Sequence, residues 1–122
     1  MRLRVVVIAL VAGIVACSSA TTAEHFDLVE FAIAGPTQLD RDTETIPVSN
    51  SGVFAHTLVV TDPAGSVVAA TTLLQPGESV DLDVALDPGT YSFTCRIVVE
   101  TPDGALVDHF EEGMATTVEV TG

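Results

Sequence analysis

The sequence predicts an all-β fold, an antiparallel Greek-key β-sandwich of seven or eight strands spanning residues 26–122. Three observations carry that prediction. Valine, threonine and alanine fill short runs that alternate apolar and polar positions. Clusters of Pro, Gly, Asp and Asn interrupt those runs about every ten residues. No segment of useful length carries helical periodicity.

Taken in order, the first run is FDLVEFAI at 26–33, closed by Ala-Gly-Pro at 34–36. ETIPVSN follows at 44–50 and stops at Asn-Ser-Gly, 50–52. FAHTLVVTD at 54–62 and SVVAATT at 66–72 flank Asp-Pro-Ala-Gly, 62–65. Gln-Pro-Gly-Glu at 75–78 introduces ESVDLDVAL at 78–86, and Asp-Pro-Gly at 87–89 introduces TYSFTCRIVV at 90–99. Thr-Pro-Asp-Gly at 101–104 separates that run from ALVDH at 105–109, and ATTVEV at 115–120 ends the series. Each connector has the residues that turns require.

Residues 1–16 read as a signal peptide. Arg2 and Arg4 precede twelve apolar or small residues, 5–16, too few to span a bilayer. Ile14-Val15-Ala16-Cys17 resembles the bacterial lipobox, in which the cysteine becomes the lipidated first residue of the mature chain. Cleavage after Ala20 or Ala23 also fits the small-residue rule. On the lipobox reading residues 17–25 are the lipidated Cys17 and a tether, and the protein is anchored to the outer face of the cell membrane by two acyl chains.

The whole chain has 17 acidic and 4 basic residues and a formal net charge of −13. All the acidic residues follow residue 16, opposed there only by Arg41 and Arg96, and there is no lysine. Such a surface excludes nucleic acid as a partner, because phosphates need cationic side chains. It suits a basic protein partner. A salt-adapted or compositionally biased surface with no partner has the same character, and the charge by itself implies no partner.

Two cysteines in an exported chain ordinarily suggest a disulfide. If Cys17 is lipidated, Cys95 stands alone. Alternation puts Phe54, His56, Leu58 and Val60 on one face, and Tyr91, Phe93, Cys95 and Ile97 on another. Met114 is in phase with Val118 and Val120. His56, Cys95 and Met114 thus point with the apolar residues of their segments. Core packing accounts for the cysteine and methionine taken singly. A buried imidazole must satisfy its nitrogens, and a metal is one way to do so.

The chain resembles the cupredoxins, the small blue-copper proteins. Asn50-Ser51-Gly52 with His56 and Val59 is similar to the segment bringing the family's first histidine ligand. Leu74-Gln75-Pro76-Gly77-Glu78, the run from Leu86-Asp87-Pro88-Gly89 through Tyr91 and Phe93 to Cys95, and the ending His109-Phe110-Glu111-Glu112-Gly113-Met114 resemble the family's other motifs. The resemblance covers residues 26–120. It implies one type 1 copper held by His56, Cys95, His109 and, weakly, Met114. Thr57 stands where many relatives carry an asparagine that ties the ligand loops together.

Thirteen residues, 96–108, separate Cys95 from His109, where most relatives have only a few. Residues 96–109 read as a β-hairpin folded about Pro102-Asp103. Opposed residue numbers then sum to about 205, placing Cys95 across from Phe110 and His109 across from Arg96. The hairpin carries Glu100, Asp103 and Asp108, so it presents an acidic face to a partner or shields the metal. His25 precedes the first strand and reads as a solvated residue.

The function implied is a membrane-tethered, extracytoplasmic single-electron carrier that serves a redox partner protein and is not an enzyme. Copper carriage or storage is the alternative, and a metal-free lipoprotein that binds a partner is another. A cysteine hydrolase built on Cys95 and His109 lacks a glycine-rich turn to expose the thiol.

Overall fold

The computed structural model describes residues 24–122. The signal peptide, Cys17 and the tether up to residue 23 lie outside the described residues, and the disulfide and lipid readings of Cys17 with them. The described chain is all strand and turn, in eleven strands.

Six strands form most of the expected ladder: β1 (Phe26–Val29), β4 (Thr45–Asn50), β5 (Val59–Thr61), β7 (Ser79–Asp83), β8 (Gly89–Thr94) and β11 (Ala115–Thr121). Five short ones complete it: β2 (Ala32–Ala34), β3 (Gln38–Asp40), β6 (Val67–Ala70), β9 (Val98–Glu100) and β10 (Leu106–Asp108). One sheet has the order β2-β1-β4-β7 and the other β3-β11-β8-β5-β6, while β9 and β10 pair only with each other. Most pairings are antiparallel, but β1 runs parallel to β4 and β3 parallel to β11.

The strand count exceeds expectation because two runs are broken. The run at 26–33 folds back on itself at Glu30-Phe31, so that Leu28 opposes Ile33. The run at 90–99 stops at Thr94, and the chain leaves the sheet before β9. The run at 54–62 keeps a strand only at its end. His56 is held instead by an isolated two-residue bridge to Leu74. β3, a single buried Leu39 between two exposed residues, is too short for alternation to show.

The two sheets close on a core to which both contribute. Phe26, Leu28, Ile46 and Val48 come from the first sheet, and Leu39, Val60, Tyr91, Phe93, Val118 and Val120 from the second. Phe26 and Phe93 meet across the interface with ring centroids 4.9 Å apart. Three expected turns close with backbone hydrogen bonds, from Gly65 to Asp62, Glu78 to Gln75 and Gly104 to Thr101. The Tyr91 hydroxyl donates to the Asp87 carbonyl at 2.9 Å and pins the connector that enters β8.

The β9–β10 hairpin is shifted by one residue from the expected register. Leu106 opposes Glu100 and Asp108 opposes Val98. Gly104 is the cause. Thr101 receives the Gly104 amide and donates its own amide to Ala105, giving a turn with one extra residue rather than a two-residue loop. The His109 amide therefore donates to the Ile97 carbonyl, not to its neighbour Arg96. Cys95 donates to the Met114 carbonyl at 3.1 Å, so Met114, not Phe110, lies across from it.

Candidate metal centre

Three chain segments deliver the candidate ligands to one end of the sandwich. His56 sits in the loop between β4 and β5, exchanging backbone hydrogen bonds of 3.0 and 2.9 Å with Leu74. Asn50 braces that loop from inside. Its side-chain amide donates to the carbonyls of Phe54 and Leu74, both at 2.8 Å, and its oxygen accepts from the Gly52 amide. The Asn-x-Gly pattern is thus a loop clamp. Cys95 follows the last residue of β8. His109 and Met114 flank a tight turn after β10, in which the Met114 amide donates to the His109 carbonyl at 3.0 Å. Gly113, at φ +111°, supplies the left-handed step that brings the chain from that turn into β11.

The side chains of His56, Cys95, His109 and Met114 are all fully buried. His56 Nδ1 lies 3.1 Å from His109 Nδ1, and Cys95 Sγ lies 3.9 and 3.7 Å from them. These three residues form a metal-competent group among the described residues. The triangle has the size a metal requires. A point in its plane lies about 2.1 Å from all three atoms, against roughly 2.0–2.1 Å for zinc–imidazole and 2.3 Å for zinc–thiolate bonds. Met114 is stitched by its backbone to both Cys95 and His109. Two imidazoles, a thiolate and a thioether are a soft donor set suited to copper.

The surroundings prepare the donors differently. His56 Nε2 donates to Glu30 Oε1 at 3.0 Å, which orients the ring and, in its neutral form, leaves Nδ1 as the nitrogen available to a metal beside Cys95. The same carboxylate oxygen accepts from the Val53 and Phe54 amides at 2.7 and 2.8 Å. Burial pushes the Glu30 pKa up. The Phe54 amide, the His56 ring and the Val53 amide outweigh that, and it settles below the ordinary 4.5. Gly52 makes the arrangement feasible, because a Cβ there would overlap the Glu30 carboxylate. Cys95 Sγ receives the Thr57 amide at 3.5 Å and lies 4.0 Å from the Thr57 hydroxyl, so Thr57 does link the two ligand segments.

His109 has no such partner. Its Nε2 is buried and makes no hydrogen bond within the described protein. Phe31 packs edge-on against the ring at 5.2 Å, and Phe54 lies at 6.2 Å. Burial and the neighbouring His56 ring push the His109 pKa below the ordinary 6.5, against an opposing pull from Glu30 and Asp108. Both effects favour the neutral ring, the form in which a histidine ligates a metal. His25 is exposed and its Nε2 lies 2.6 Å from the Ser49 hydroxyl, far in sequence from the ligand loops.

Glu30 escaped the sequence reading, although one signal was present. Strand alternation puts Glu30 in phase with Phe26 and Leu28, both fully buried. A carboxylate on a core-facing position calls for a partner.

No protein-family model matches the sequence, and no curated protein does. Solved structures do match. The azurin Az-iso2 from the obligate methylotroph Methylomonas sp. strain J superposes with a TM-score of 0.56 at 15% identity, over 80% of this chain and 96% of that one. A purple cupredoxin from Nitrosopumilus maritimus gives 0.53 at 16% identity, over 80% and 99%. Reduced rusticyanin gives 0.54 at 17%, over 80% and 78%. With its two packed sheets and its buried histidine–cysteine–histidine group at one end, the chain has the cupredoxin fold.

Proposed function

We propose that the protein holds one copper ion and passes single electrons. The observation that carries this reading is the triangle of His56 Nδ1, Cys95 Sγ and His109 Nδ1, with sides of 3.1, 3.7 and 3.9 Å. Copper bound there supplies a one-electron couple. Two imidazole nitrogens and the Cys95 thiolate would hold it, with the Met114 thioether as a weak fourth donor. Glu30 keeps His56 oriented and its Nδ1 basic. The Thr57 amide stabilises negative charge on Cys95. The sandwich core, continuous with Phe93 and Val118, excludes water and holds the donors in one arrangement whichever charge the metal carries. An amicyanin variant with the same fold is described in a reduced Cu(I) form, which accords with this assignment.

Full burial of all four side chains favours electron transfer over copper delivery, since a delivered ion must be surrendered to another protein's ligands. It also counts against a hydrolase, because the Cys95 thiol has no open approach for a substrate. The proposal extends to place and partner. Lipidation at Cys17 would tether the domain at the membrane surface outside the cytoplasm, and a basic redox protein would meet its acidic exterior faster at low salt than at high.

Copper titration of the purified protein, followed optically and by EPR, tests the centre. One equivalent should produce an intense thiolate-to-copper band with a small EPR hyperfine splitting. A protein that takes up copper without that band has its copper elsewhere. A Cys17→Ala protein should leave the membrane fraction, and its retention there would remove the anchor from the account.

A further inference from the structure

His56, Cys95, His109 and Met114 are all buried, so whatever reaches them must first displace part of the protein. Cys95 and Met114 sit at the ends of the paired strands β8 and β11, a poor place for movement. The two histidines are covered differently, by two short segments outside the strands. One is the turn between β1 and β2, which sets the Glu30 carboxylate on His56 and the Phe31 ring against His109. The other is the stretch after β4, where the exposed Phe54 stands beside the same His109 ring.

Of the two, the stretch after β4 is the fixed one. The Ser51 amide is tied to the Leu28 carbonyl, the Asn50 side chain holds the Phe54 carbonyl, and His56 is bridged to Leu74. The turn is held less. Its return strand β2 has three residues, lies at the edge of its sheet and pairs only with β1. Phe31 borders a cavity of about 190 Å³, so part of that ring already lacks packing and lifting it forfeits little contact. What closes the turn onto the fixed stretch is one atom. Glu30 Oε1 accepts from the Val53 amide at 2.7 Å, the Phe54 amide at 2.8 Å and His56 Nε2 at 3.0 Å.

We propose that the β1–β2 turn is a gate over the buried donors and that Glu30 is its latch. Closed, the carboxylate joins the turn to the stretch after β4. Opening lifts Glu30 off His56 and both amides in one movement, and carries Phe31 away from His109. The Glu30 side chain is 22% exposed, so water replaces its bonds as they break and the opening stays local. The charge suits a small cation as the entrant. An unlatched carboxylate stands at the mouth, and the acidic chain around it repels anions. The inference rests on the copper reading for what enters. The gate itself belongs to the metal-free chain.

Iodoacetamide, small and uncharged, tests the gate by alkylating Cys95 in the metal-free whole chain. Peptide mass spectrometry separates that reaction from any at Cys17. Glu30→Ala should react at least about tenfold faster than the parent, the factor equivalent to one lost hydrogen bond to a charged group. Glu30→Gln, which keeps an acceptor oxygen, should fall between the two, and it carries the test alone should the alanine variant fold poorly. The gain should depend only weakly on urea, because a local opening exposes little surface. Val118→Ala, weakened in the core, should react faster only along the steep urea slope of global unfolding. Stopped-flow mixing with copper adds a second readout. Glu30→Ala should take the ion up faster although it holds it less tightly, whereas a residue that merely orients His56 would lose affinity with no gain in rate. Unchanged alkylation in both Glu30 variants, or a gain that carries the global urea slope, overturns the gate. A chain that takes up no copper in any variant, yet whose Cys95 reactivity still follows Glu30, defeats the copper reading and leaves the gate standing.

Discussion

The two histidines of the centre are held by opposite means. His56 is fixed by polar contacts: its backbone pairs with Leu74, and its ring is hydrogen-bonded to Glu30. His109 is fixed by backbone bonds and by packing against Phe31, with its Nε2 buried and unpaired among the described residues. The difference teaches that a ligand can be positioned either by a specific partner or by its confinement. The first controls how strongly the nitrogen donates. The second leaves the far ring nitrogen buried without a hydrogen-bond partner among the described residues.

The most severe test of the comparison removes the group both histidines share. Cys95→Ser should eliminate the visible charge-transfer band completely, because the band needs the thiolate. A variant that keeps the parent band would show that the two rings do not converge on this sulfur.

Next in size comes the polar side. Glu30→Ala should weaken copper binding about 10–100-fold, as losses of the group behind a metal-bound histidine do. Glu30→Gln, which retains an acceptor oxygen, should lose less and raise the reduction potential, since a neutral amide makes His56 a poorer donor to Cu(II). Gly52→Ala should resemble Glu30→Ala, for its Cβ would push the carboxylate out of place. Competition against a chelator of known affinity measures all three. Equal affinity across the series would mean that His56 needs no carboxylate.

The packed side should behave otherwise. Replacing residues 98–107 by a short glycine-containing turn should preserve copper uptake, because the ligands lie at the hairpin base. It should also speed reaction of the copper with small oxidants, and stopped-flow kinetics would show this. Loss of copper binding would make the hairpin a structural part of the centre. Met114→Leu is expected to keep the band and raise the potential, the removed thioether having favoured Cu(II). An unchanged potential in voltammetry would place the sulfur out of reach.

The smallest effect is on acid stability of the metal-free protein. The folded-state pKa of His109 lies below 6.5, so the unfolded chain takes up the proton first and stability declines as pH falls through about 6.5. Glu30 adds stability above about 4.5 that is lost as pH falls through its lower folded value. Denaturant midpoints from about pH 7 to 5 should therefore fall less in His109→Asn than in the parent. Identical slopes would remove burial of His109 from the explanation.

Much of this was legible because a strand has a period of two. Tyr91, Phe93 and Cys95 share a face in the sequence and are all buried, and Met114, Val118 and Val120 likewise. Period two could not place Phe54, which leaves the strand and is 44% exposed. Nor could it find the break at Glu30-Phe31, where a single strand-like run folds back on itself. The parallel pairings of β1 with β4 and β3 with β11 join segments distant in sequence, and no local pattern reports them. The hairpin was foreseen but misaligned by one residue, because Gly104 takes an extra place in the turn. Glu30 shows the deeper limit. Its role depends on a histidine 26 residues away, and only tertiary structure brings the two together.

The place of β11 bears on how the molecule is made. This last strand is inserted between β3 and β8, so the larger sheet is in two parts until residues 115–121 arrive. Leu39 near the beginning must wait for Val120 near the end. Pairings of such long sequence separation close late and slowly. During synthesis, the emerging chain would thus remain open rather than settle into a partial sandwich. Met114 immediately precedes β11, so the donor set and the larger sheet become complete within a few residues of each other. Copper offered earlier would meet only loose imidazoles and a thiol, and the centre can form only once residues 114–121 are in place.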